Sequence, residues 1–162
     1  MQQHNPRSFS LVSSNQNSMD ETPWNLVGGT AITIDEQFLA HKTTNGMGKD
    51  PTKLGRWTWM RLCGRDQIHT RFVSTYRPCR NQGISTTWTQ HLNYFRLKGD
   101  QVTNPRDKFD EDLCKEIKTW KELGDIIIIG IDMNEDAYDG KLSRLFRNLG
   151  LIPLIQSAYK RE

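Results

Sequence analysis

The segment Asp125-Ile126-Ile127-Ile128-Ile129-Gly130-Ile131 constrains the fold more than any other stretch of the chain. It has no polar position between its ends, so neither face of a strand built from it is suited to water. It is too short for a buried helix and is rich in β-branched residues, which favour extended backbone. The expectation is a central strand covered on both faces, as in the sheets of α/β proteins. Asp132-Met133-Asn134 follows at its C-terminal end.

The flanking segments supply the elements such a sheet needs. Asn104 before Pro105 is a helix start, with Asn as cap and Pro at the first helical position, where its missing N–H costs nothing. Phe109, Leu113, Ile117 and Trp120 then fall on one face, and Gly124 is placed to stop the helix. Trp88, His91, Leu92 and Phe95 repeat at i, i+3, i+4 and i+7 and predict an earlier helix ending at Gly99. Leu142, Leu145, Phe146 and Leu149 predict a helix over Lys141 to Leu149, with Gly150 as its stop. Arg56 to Cys63 and Ile68 to Tyr76, joined across Gly64-Arg65-Asp66, read as a β-hairpin. Val27 to Thr33 reads as a further strand, with two glycines that suggest a bulge or a close backbone approach. His41 to Leu54 is polar and predicts a loop.

Eleven of the first 22 residues are Gln, Asn or Ser, without hydrophobic periodicity, so 1–22 is expected to be a polar, loosely held lead-in and 23–162 the folded body. A length of 162 residues allows one domain of α/β class. No run approaches the roughly 20 apolar residues that cross a bilayer, and the N-terminus has no apolar signal core. An intracellular protein is expected. Three cysteines, Cys63, Cys79 and Cys114, lack C-x-x-C spacing and read as free thiols.

Asp132 and Asn134 are two apart and leave one face if the strand persists, setting a carboxylate beside a carboxamide. The first can accept a proton or bind a metal, and the second can orient it or donate to a phosphate oxygen. The same pair would also serve simply to begin a turn. An isoleucine strand ending in Asp is found too beside nucleotide phosphates, but Gly46-Met47-Gly48-Lys49-Asp50 lacks the phosphate-loop spacing and no G-x-G-x-x-G follows a strand, which argues against a nucleotide cofactor. Residues 56–80 hold six arginines against the single acid Asp66, a local charge of +5, so the remainder of a +3 chain carries −2. Arginine forks suit phosphate, and nucleic acid is a natural partner; solvated arginines on alternating strand positions are the plainer reading. Arg77, held extended before Pro78, is the expected phosphate-binding residue. Tyr76 beside it either donates its hydroxyl to a phosphate or packs as a core tyrosine. No histidine shows metal-ligand spacing, and His91 reads as packed.

Taken in order, Gly28-Gly-Thr30, Gly55-Arg-Trp57, Ser74-Thr-Tyr-Arg-Pro78, Gln90-His91 and Ile126-Ile-Ile-Ile-Gly-Ile-Asp-Met-Asn-Glu135 resemble the endonuclease/exonuclease/phosphatase superfamily over about Trp24 to Leu151. The resemblance implies a four-layer α/β sandwich of the DNase I-like kind and hydrolysis of phosphodiesters or phosphomonoesters with Mg²⁺ or Mn²⁺. It implies that Asp132 orients or deprotonates the attacking water, that Asn134 assists beside it, and that Tyr76 hydrogen-bonds the scissile phosphate. Two family elements are not matched. The metal-binding glutamate of a Gln-Glu pair has no counterpart, since the first Glu is Glu21, and no Ser-Asp-His element precedes Arg161-Glu162. The expectation is therefore a partial domain with no metal ligand of its own, weak or inactive alone. The alternative is a catalytically dead remnant or a nucleic-acid-binding module that uses the 56–80 hairpin.

Overall fold

The structure, a computed structural model, describes residues 8–16, 28–81 and 83–154. Glu21 and Trp24 lie outside them. The described residues form a mixed α/β arrangement of two sheets and four helices. Strands β1 (Ser8–Ser14) and β2 (Gly29–Asp35) make an antiparallel ribbon. A one-turn helix α1 (Glu36–Leu39) leads into a four-stranded sheet of β3 (Lys42–Lys49), β4 (Trp57–Cys63), β5 (His69–Tyr76) and β6 (Ile126–Asp132), in the order β3-β4-β5-β6. Helices α2 (Thr87–Leu97) and α3 (Pro105–Glu122) form the crossover from β5 to β6, which run parallel, and α4 (Lys141–Asn148) follows β6.

Local signals explain most elements. The β4–β5 hairpin pairs Trp57 with Thr75 through Cys63 with His69, around a short turn at Arg65–Gln67. Thr86 caps α2, its hydroxyl accepting from the Thr89 N–H, and the Asn104 carboxamide oxygen accepts from the Arg106 and Asp107 N–H groups to cap α3. Phe109, Leu113, Ile117 and Trp120 of α3 are buried against Trp57 and Val73 of the sheet and Leu142 of α4. Each such side chain contributes about 1.5–3 kcal/mol by leaving water, so this face is what fixes α3 to the sheet.

Three expectations are corrected. First, residues 8–14 are a strand: Phe9, Leu11 and Ser13 turn inward while their neighbours are exposed, an alternation hidden by the serine-rich composition. Second, 42–49 is an edge strand with a register irregularity between Lys42 and Met47. Its glycines make this possible, for a Cβ on Gly48 would lie 2.5 Å from the Trp59 indole. Third, β6 is an edge strand with one face open. Ile127, Ile129 and Ile131 pack toward α3, whereas Ile126 and Ile128 remain 52% and 40% exposed. The β1–β2 ribbon packs across β4 and β5 and covers Thr58 and Met60 on that second face, and among the described residues no element packs over the β6 side to the same extent. Among the described residues no helix is long and apolar enough to cross a membrane.

Candidate functional site

The parallel register of β5 and β6 sets Tyr76 directly beside Asp132 at the C-terminal ends of the two strands. Strand alternation sends both side chains to the open face, with Phe72, Ser74, Ile128 and Gly130. The pairing continues one step further, since the Arg77 N–H donates to the Asp132 carbonyl at 3.0 Å. The chain then turns through Asn134, whose φ of +50° belongs to the left-handed region that Asn tolerates better than most residues. The Asn134 carboxamide donates to the Arg77 carbonyl at 2.7 Å, and its own N–H donates to Asp132 Oδ1 at 3.3 Å. Tyr76, Asp132 and Asn134 are therefore brought together, with Asn134 tying the turn after β6 to the end of β5. Asp132 is exposed and has no ion pair among the described residues.

Arg77 is corrected from phosphate-binding residue to buried ion-pair centre. It is 2% exposed, with Nε and Nη2 donating to the two oxygens of Asp110 at 2.6 Å each and Nη1 donating to Glu135 at 2.6 Å. Burial works against its charge, but the two carboxylates outweigh burial and hold the guanidinium above its ordinary pKa. Each of its three nitrogens donates to a carboxylate, and burial leaves the fork almost no surface for a ligand.

Arg56 follows the same pattern. Arg56, 1% exposed, donates through Nε and Nη2 to Asp50 and through Nη1 to Asp112. Burial alone would raise the Asp50 carboxyl, but the hydrogen bonds and charge of Arg56 bring it below the usual carboxylate range. Arg61 and Arg71 share Asp125. Arg65 and Arg80 are exposed. The expected basic surface over 56–80 is thus largely an internal network, in which Arg56, Arg61, Arg71 and Arg77 pair with acids outside the hairpin.

Glu135, for which the sequence suggested no role, is a second centre. Its Oε2 accepts from Arg77 and from Arg106 Nη2, and its Oε1 accepts from the Leu142 N–H, so it caps α4. Gly140 lies so close that a Cβ there would come within 2.5 Å of Glu135 Oε1. The absence of any Ser, Thr, Asp or Asn at the N-cap of α4 was the available signal that a more distant acid had to serve. Asp136 accepts from the Asp139 and Tyr138 N–H groups, and these bonds lower its carboxyl.

His91 is fully buried, as expected for a packed residue, beside the Leu54 backbone, and among the described residues neither ring nitrogen has a partner in hydrogen-bond geometry. Burial, and then the nearby Arg56 charge, push its pKa from 6.5 down to about 4. The unfolded chain binds this proton below about pH 6.5 and the folded chain only below about 4, so stability is lost as pH falls through that window. At roughly 1.4 kcal/mol per unit, up to about 3 kcal/mol is at stake. Urea midpoints of the parent should fall more steeply between pH 6.5 and 4 than those of His91→Leu; parallel profiles would show that the imidazole takes no part.

Among the described residues no three His, Cys, Asp or Glu side chains come together to hold a metal ion. Cys63, Cys79 and Cys114 are free thiols. No protein-family model, curated protein or solved structure matches this chain.

Proposed function

We propose that this chain is a portion of a divalent-metal-dependent phosphodiesterase or endonuclease domain of the endonuclease/exonuclease/phosphatase kind, acting on nucleic acid, with the ends of β5 and β6 forming the phosphate-facing half of its site. The observation that carries this reading is the register of Tyr76 with Asp132, on one face at the carboxyl ends of neighbouring parallel strands. Open α/β sheets gather their ligand-binding groups at such ends. The layering agrees with a partial four-layer sandwich: helices cover one face of the sheet, and a β-ribbon covers part of the other.

The chemistry available is that of the side chains themselves. The Asp132 carboxylate can orient a nucleophilic water and accept its proton, and the Tyr76 hydroxyl can donate to a phosphoryl oxygen as negative charge develops there. Asn134 holds the turn that presents Asp132. These residues do not fit a metal centre by themselves. Asp132 is a lone carboxylate, and Glu135 is committed to two arginines and to the α4 cap. The reading that makes the 56–80 hairpin a nucleic-acid platform gains no support from arginines paired internally.

Two measurements on the full chain test the proposal. Cleavage of plasmid DNA with Mg²⁺ should stay near background, and titration with a short single-stranded oligonucleotide should shift the amide signals of Tyr76, Asp132 and Asn134. Tyr76→Phe should weaken binding by about tenfold or more, the loss of one hydrogen bond to a charged group. Shifts confined to other surfaces, or none at all, would sink the reading. Robust cleavage lost in both EDTA and Asp132→Ala would support the function while showing that the metal site is complete within this chain.

A further inference from the structure

At the end of the sheet opposite Tyr76 and Asp132, roughly 20 Å away along β6, a cavity of about 310 Å³ opens between β3, the sheet and the C-terminal turns of α3. Arg61, Arg71, Trp59 and Trp120 line it, with Asn45 and Thr119 at its sides. We propose that it is a binding site for a phosphate monoester, with the phosphate group held by Arg61 and Arg71.

Three observations converge. Arg61 Nε and Arg71 Nε and Nη2 all donate to the single carboxylate of Asp125, at 2.8, 2.9 and 2.7 Å. Two guanidiniums thus share one carboxylate, and one positive charge has no ion-pair partner of its own among the described residues. The second observation is Arg71 Nη1, which is buried in a side chain only 3% exposed and has no hydrogen-bond partner among the described residues. Buried donors are rarely left unmet, since removing them from water without an acceptor costs free energy. Thirdly, Arg71 is fixed in place: its guanidinium lies over Trp59 at 4.0 Å and over Trp120 at 5.0 Å, so its unmet donors are preorganised. Arg61 is more open, 21% exposed, and the described residues offer its terminal amino groups no partner, so it is free to close over an anion.

Phosphate suits this arrangement because its several terminal oxygens can accept from two forks at once. The space beyond the arginines, bounded by indole and by Leu123, is larger than a bare anion and is partly apolar, which calls for an organic substituent on the phosphate. Burial and the neighbouring Arg61 charge disfavour the charged form of Arg71, and the negative charge of an anion offsets them. Glu116 on α3 is the acid that opposes such a ligand electrostatically; its carboxyl is pushed up by burial and it forms no ion pair with Arg71 among the described residues.

The test is a titration of the full chain with phenyl phosphate and inorganic phosphate, against sodium chloride at matched ionic strength, followed by tryptophan fluorescence and by melting temperature. A saturable fluorescence change and a raised melting temperature are expected, with phenyl phosphate at least tenfold tighter than inorganic phosphate. Arg61→Gln should weaken binding tenfold or more. Asn45→Asp places a negative charge at the rim, in a backbone conformation with φ of +54° that Asp tolerates, and should do the same without disturbing the fold. Arg65→Gln, in the exposed hairpin turn, should leave binding unchanged. Signals no different from chloride, or binding that survives both Arg61→Gln and Asn45→Asp, would overturn the proposal. So would benzoate binding as tightly as phenyl phosphate, which would assign the site to carboxylates.

Discussion

Asp110→Leu is expected to destabilise the protein by about 3–5 kcal/mol, because it leaves the buried Arg77 guanidinium with only the partly exposed Glu135 as partner. The double variant Arg77→Met/Asp110→Leu should lose much less, since it removes the stranded charge and puts apolar volume in its place. Chemical denaturation of the two single variants and the double measures the coupling directly. Arg77→Met alone should also be costly, because Asp110 is then buried without a donor. Equal losses in the double and in the singles added together would show that the pair is not coupled and that the geometry at 2.6 Å does not persist in solution. This experiment also decides what Arg77 is for. A structural arginine changes stability, and any effect on nucleic-acid affinity should disappear once measurements are confined to folded protein.

Phe109→Ala should cost a similar amount, about 3–5 kcal/mol. Phe109 is fully buried and its ring meets Trp57 edge-on, with centroids 6.1 Å apart, at the contact between α3 and the sheet. Removing it opens a cavity that neither neighbour can fill, because Trp57 is held by pairing with Thr75 on one side and by the Asp50 N–H on its carbonyl on the other, and α3 by Leu113 and Ile117 one and two turns further on. Leu97→Ala, at a position 67% exposed, should change stability by less than about 0.5 kcal/mol and serves as the reference. A loss below about 1 kcal/mol for Phe109→Ala would mean that the helix is not docked through this face. A domain of this size is expected to have about 5–15 kcal/mol in all, so either substitution removes a large share.

What the sequence made legible is what local chemistry specifies. The Asn104 cap, the apolar spacing of α2, α3 and α4 and the hairpin turn all act within a few residues, and each element formed where it was expected. The juxtaposition of Tyr76, Asp132 and Asn134 was also legible, because strand ends in a parallel pair converge once the crossover is recognised. What stayed hidden depends on distant partners. The hairpin arginines looked like a surface because their acids lie elsewhere: Asp110 is 33 residues from Arg77, and Asp125 is 54 from Arg71 and 64 from Arg61. The same holds for β6. Four consecutive isoleucines describe a strand that could be covered on both faces, yet whether cover arrives depends on where the β1–β2 ribbon lands, and it lands on β4 and β5. Strand β3 was missed for a different reason: its polar, glycine-containing sequence reads as a loop, yet Gly48 is there to admit the Trp59 ring.

The topology of β6 also sets an order of events in time. Strands β4 and β5 meet across a turn of a few residues, a closure that takes on the order of microseconds for a hairpin. Strand β6 joins β5 only after the chain from Arg77 to Asp125 has been drawn in, a much longer closure whose entropy must be met before any pairing is gained. Helices α2 and α3 shorten that path as they form, and α3 brings the apolar face on which Ile127, Ile129 and Ile131 will settle. Until then the isoleucine run is an uncharged, β-branched segment with no partner, the kind that pairs with its equivalent on another molecule. Protection during that interval falls to α3, whose Asn104 cap and first-position Pro105 let it nucleate early, so the residues that start this helix govern how long the most adhesive segment of the chain stays uncovered.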